Sequence, residues 1–136
     1  MAKTLTTNTD PVNVPVHAES RTGELPECYF VPATDIYETA DELVLLADLP
    51  GIKPDGLNVT VEDNILTLRA TPAQAEKAPG EPLLEEFAAG EYYRAFQLPA
   101  DFETAKIQAS LRHGVLTIRL PKSERMKPRR ITVKVE

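Results

Sequence analysis

Apolar and polar residues alternate along much of this chain with a period of two. Leu57, Val59 and Val61 alternate in "LNVTVE", and Ile65, Leu66 and Leu68 follow after the turn residues "EDN". Ile107, Ala109 and Leu111 alternate in "KIQASLR". After "RHG" come Val115, Leu116, Ile118 and Leu120, with Pro121 closing the run. Period two puts every second side chain on one face of a strand, so each block predicts a hairpin. Asn, Asp, His and Gly suit the turns because they tolerate left-handed backbone. "ATDIYET", the apolar-rich "DELVLLADL" that stops at "PG", and "EYYRAFQL" before Pro99 read as further strands. Helical periodicity is weak, and short strands at near-regular spacing predict an all-β sandwich.

Two stretches break the rhythm. Residues 1–31 are polar, carry prolines at 11, 15 and 26, and read as a flexible or weakly ordered arm. "VNVPV" alternates inside it, but Pro15 confines it to an edge at best. Residues 71–82, "TPAQAEKAPGEP", hold three prolines and a glycine and make a loop longer than most hairpin connections. "LLEEF" just beyond reads as a short strand. At the far end "KPRRITVKVE" alternates again, Ile131, Val133 and Val135 against Thr132, Lys134 and Glu136, with no hairpin mate.

A length of 136 residues suits one domain with a core and short appendages. Net charge −6 argues against a nucleic-acid footprint. A single cysteine, Cys28, allows no intrachain disulfide and fits a reducing compartment. The first residues lack the apolar segment of a secretory signal, and no run nears the ~20 apolar residues of a membrane helix. A cytoplasmic protein is expected.

Catalytic chemistry is not announced. Nucleotide-cradling glycine motifs and "GxSxG" are absent. His17 and His113 lie apart, and Cys28 has no histidine nearby in sequence. Glu85 and Glu86 are adjacent and would point to opposite faces of a strand, so they read as a solvated edge. His113 before Gly114 reads as a turn residue. No enzyme, metal or cofactor is expected.

The stretch "ASLRHGVLTIRLPK" resembles the A-x-x-x-N-G-V-L signature of the small heat-shock proteins, the α-crystallin family, through Ala109, Gly114, Val115 and Leu116. His113 stands where asparagine is usual, and both residues are enriched in left-handed backbone. "DIYETADELVLLADLPGIKPDGLNVTVEDNILTLRA" is similar to the first half of that domain, and "EYYRAFQLP" to the family's Arg-x-Phe-x-Leu-Pro run. The resemblance implies an immunoglobulin-like β-sandwich, the α-crystallin domain, over 32–121. An N-terminal arm (1–31) precedes it, and a C-terminal extension (122–136) follows.

It further implies an ATP-independent holdase chaperone that binds unfolding client proteins. The implied building block is a homodimer in which the strand around "LLEEF" (Leu84, Phe87) pairs with the partner's "ATDIY" (Ile36), with Arg94 near the interface. The loop could instead be an ordinary one, and Arg94 a surface residue. The extension matches the family's Ile-x-Ile/Val motif through Ile131 and Val133. By resemblance it docks in a neighbouring dimer's groove lined by Leu57, Val59, Val61, Ile107, Ala109 and Leu111, building a higher homo-oligomer. The same six residues also read as core. Family arms are often rich in phenylalanine, whereas this one is short and nearly without aromatics apart from Tyr29 and Phe30. An alternative is a monomeric co-chaperone adaptor resembling the CS domains, which needs neither exchanged strand nor tail.

Overall fold

The computed structural model describes residues 12–14, 16–17, 29–73, 79–84, 86, 90–99 and 102–136. Its strands are β1 (Val12–Val14), β2 (Val16–His17), β3 (Tyr29–Phe30), β4 (Thr34–Glu38), β5 (Glu42–Asp48), β6 (Leu57–Glu62), β7 (Ile65–Ala70), β8 (Glu91–Gln97), β9 (Gln108–Arg112) and β10 (Val115–Pro121). Among the described residues the only helical turns are short 3-10 segments, Pro54–Gly56 and Thr104–Lys106. The strands form two five-stranded sheets, ordered β1-β9-β10-β5-β4 and β2-β6-β7-β8-β3. The expected all-β sandwich is what the chain adopts.

Both hairpins form where the alternation predicts them. β6 and β7 pair from Leu57 with Ala70 to Glu62 with Ile65. Their turn has Asp63 and Asn64 at φ 48° and 60°. β9 and β10 pair from Val115 with Arg112 to Arg119 with Gln108, through His113 and Gly114 at φ 49° and 74°. Positive φ at both central residues gives a turn whose twist matches the strands. This left-handed backbone is the role expected of His113. Gly56 is required for a different reason: a Cβ there would lie 2.4 Å from the Thr71 carbonyl oxygen, whose residue donates its N–H to the Gly56 carbonyl at 2.8 Å.

The inward positions interlock into one core. Leu45 and Ala47 of β5, Val59 of β6, Leu66 and Leu68 of β7, and Leu116, Ile118 and Leu120 of β10 are all buried in it. Removing each large aliphatic side chain from water contributes about 1.5–3 kcal/mol.

Three differences from the sequence reading stand out. First, the arm is not wholly unstructured: β1, β2 and β3 add one strand each to three of the four sheet ends, with β4 forming the fourth. "VNVPV" does lie at edges, and Pro15 separates the two pieces. Second, β10 runs through Pro121 instead of stopping before it, because its last pair is Pro121 with Glu42. Third, the described residues of "LLEEF", Leu83, Leu84 and Glu86, form no strand within one chain.

Candidate functional site

The six apolar residues of the expected groove alternate along two separate stretches of the sequence. Leu57, Val59, Val61, Ile107, Ala109 and Leu111 are all buried and all belong to the central cluster. β6 and β9 belong to different sheets and flank the same side of the sandwich, since the arm crosses from one to the other within six residues. β1 runs antiparallel to β9, with Val12 opposite Leu111, Asn13 opposite Ser110 and Val14 opposite Ala109. β2 runs parallel to β6, with Val16 opposite Val59 and His17 opposite Thr60. The expected groove is therefore closed at its backbone edges by the chain's own arm. The sequence signal for this was "VNVPV" itself, which repeats the spacing of the tail.

The tail motif lies elsewhere. Residues 127–136 are in no strand, and Ile131 and Val133 are 83% and 82% exposed. Its lead is tied down by Lys127, whose Nζ donates to the Glu124 carboxylate at 2.6 Å. That hydrogen bond, with the attraction between the charges, lowers the Glu124 pKa and raises that of Lys127. Both shifts favour the ionic pair, the carboxylate keeping its charge to lower pH and the ammonium to higher pH than each would alone. Both groups are exposed, so the contact orients the segment more than it stabilises the fold.

The second surface is the edge of β4. One side pairs with β5, from Thr34 with Ala47 to Glu38 with Leu43. Among the described residues nothing pairs with the other side. Ile36 and Tyr37 are both about half exposed although they face opposite ways. Leu84 is 78% exposed. Phe87 and Cys28 lie outside the described residues. An unpaired edge flanked by exposed apolar groups invites strand addition.

Arg94 is close by but not ion-paired within the chain's described contacts. It donates to the Pro32 carbonyl at 3.1 Å and stacks over the Phe96 ring at 4.9 Å. It thereby anchors the segment between β3 and β4. Around it Tyr29 meets Tyr93 edge-on at 5.4 Å, and Phe30 meets Tyr92 at 6.1 Å. The arm's two aromatic residues are thus used in fixing the chain's entry to β4.

Lys122 is the polar residue that sequence reading missed. It is 8% exposed, and its Nζ reaches the Thr39 carbonyl at 2.8 Å and Glu38 Oε1 at 2.5 Å. Its backbone N–H donates to Asp41. One side chain from the end of β10 therefore clamps the turn that follows β4. Replacing Lys122 by Met keeps the bulk and removes both contacts. The expected loss is about 1–3 kcal/mol of unfolding free energy, read as a lower urea midpoint. An unchanged midpoint would mean that the clamp is not needed.

A polar trough runs along the outer face of β6, β7 and β8, past Asn58, Thr60, Thr67, Arg69 and Tyr93. Arg69 pairs there with Glu91 at 2.9 Å. Among the described residues no three His, Cys, Asp or Glu side chains converge as metal ligands, and no helix is long and apolar enough to cross a membrane.

Comparison with known proteins agrees with this geometry. The model of the Hsp20/alpha crystallin family matches residues 35–135. The 18 kDa antigen of Mycobacterium leprae is 38% identical over 104 residues, covering 73% of this chain and 66% of that protein. A probable 15 kDa heat shock protein of Leptospira interrogans is 36% identical over 91 residues, covering 67% of this chain and 69% of that protein. Among solved structures, a small heat-shock protein from Xylella fastidiosa superposes with TM-score 0.62 at 35% identity, covering 79% of this chain and 100% of that one. The chain thus spans just under two thirds of the mycobacterial relative's length.

Proposed function

The chain belongs to the Hsp20/α-crystallin family of small heat-shock chaperones, and on that premise we propose that it is an ATP-independent holdase, built on a strand-exchanged homodimer that assembles further and takes up unfolding client proteins. The observation that carries this reading is the unpaired outer edge of β4 with Ile36 and Tyr37 half exposed on it, together with the exposed apolar side chains of Leu83 and Leu84 in the loop and of Ile131 and Val133 in the tail. Isolated exposed apolar residues are ordinary, but a free strand edge that carries them marks a site for strand addition.

In the dimer, the segment around Leu84 and Phe87 adds to the partner's β4 beside Ile36, with Arg94 close to the junction. The tail residues Ile131 and Val133 then link dimers through the β6–β9 side of a neighbour. This is a chaperone rather than an enzyme, and it acts in the cytoplasm. The Xylella fastidiosa protein is described as having a distinct high order structure, which supports further assembly here.

Light scattering from a thermolabile enzyme heated with an equimolar amount of this protein, without ATP, tests the proposal. Scattering is expected to fall to less than half. Scattering equal to that of the client alone would remove the holdase assignment. A monomeric mass at working concentration would instead favour an adaptor.

A further inference from the structure

A strand has two edges, and on this side of the sandwich both relevant strands have both edges in use. β9 pairs with β10 on one side and with β1 on the other. β6 pairs with β7 on one side and with β2 on the other. No further strand can join β9 or β6 while Val12–His17 is in place. We propose that this arm segment is an internal occupant of the β6–β9 side, and that it must leave before the tail of a second copy can dock there. The inference rests on the tail-docking reading above and adds what controls it.

The two segments are alike. "VNV" and "ITV" both alternate apolar, polar, apolar, and a proline lies close to each, Pro15 after the first and Pro128 before the second. Val12 and Val14 are the register partners of Leu111 and Ala109, the inward positions of β9. The tail is in no strand, and Ile131 and Val133 are exposed, in the chain whose arm is paired with β9 and β6.

The arm's ladders are also short, three residue pairs on β9 and two on β6, against seven between β10 and β5. Short terminal ladders open far more readily than central ones. The arm is favoured by its tether, which gives it a high local concentration, whereas the tail of another copy must be supplied by assembly. The arm therefore holds the site in dilute protein. Warming, which loosens short edge ladders first, and crowding of copies both hand the site to tails.

A reversible lock tests this. Asn13 and Ser110 face each other across the β1–β9 ladder. Opposed residues of antiparallel strands have Cα atoms about 4.5–5.5 Å apart, within disulfide reach. Asn13→Cys with Ser110→Cys, in a Cys28→Ser background, is oxidised and then reduced. Each form is titrated with a synthetic peptide of residues 127–136, and its native mass is measured.

The expected result is peptide binding at least tenfold weaker in the oxidised form, restored on reduction. The mass should fall to that of a dimer and recover in parallel. Val12→Ser with Val14→Ser should bind the peptide more tightly than the parent chain. Failure of the crosslink to form in folded protein would overturn the arm's placement. A formed crosslink with equal peptide binding in both forms would overturn the competition while leaving tail docking intact. A formed crosslink with no binding to the oxidised, reduced or serine variants would overturn the tail reading, and the competition with it.

Discussion

Leu116→Ala is expected to lower the unfolding free energy by about 3 kcal/mol, within the ~2–5 kcal/mol found when buried leucines are truncated. Leu116 is fully buried near the start of β10, opposite Ala47 of β5 and Leu111 of β9. Strands on both sides hold the backbone in place, so the surroundings cannot collapse into the space the leucine leaves. The matched control is the neighbouring Val115, which faces outward and is 36% exposed. Val115→Ala should stay within about 0.5 kcal/mol of the parent. Urea midpoints at one fixed protein concentration check both, since assembly makes apparent stability depend on concentration. Equal losses at the two positions would mean that the strand is not buried on one face as described.

Ile131→Ala combined with Val133→Ala is expected to reduce the native mass of any larger assembly to that of a dimer. Burial of the two side chains contributes about 1.5–3 kcal/mol each. Fixing the backbone opposes it by about 1–2 kcal/mol per residue, so a single tail contributes little net. Assembly then depends on many tails acting together, and removing the apolar contacts from every one abolishes it. The register has its own test. If Ile131 and Val133 are the docked pair, Val135→Ala alone leaves the mass unchanged; if Val133 and Val135 dock, it shrinks the assembly as the double variant does. Light scattering coupled to size exclusion reads both. An unchanged mass in the double variant would remove the tail's assigned role.

The hairpins were legible because their information is local. Alternation sets which face of a strand is buried, and Asp63-Asn64 and His113-Gly114 specify turns that need left-handed backbone. The six groove residues were legible as apolar and inward-facing for the same reason. Arg94 was singled out by resemblance, through its run of residues, as lying near a dimer interface; its bond to the Pro32 carbonyl, which joins positions 62 apart, could not be read from the sequence. Lys122 was not legible at all: next to Pro121 it reads as the polar end of a strand. Its contacts with Glu38 and Thr39 exist because β10 and β5 run side by side and carry the β4 turn to it.

By itself, then, the sequence determined the two hairpins with their inward faces and tight turns, the strands β4, β5 and β8, and the family, because each depends on residues a few positions apart. Only the tertiary structure decided who occupies the edges. A backbone edge carries no side-chain signature, and "VNV" and "ITV" are equivalent candidates for the same ladder. The fold places Val12–Val14 on β9 and Val16–His17 on β6, and leaves β4 and the tail exposed. Which segment holds an edge depends on chain connectivity and effective concentration, and those exist only once the sheets have been assembled.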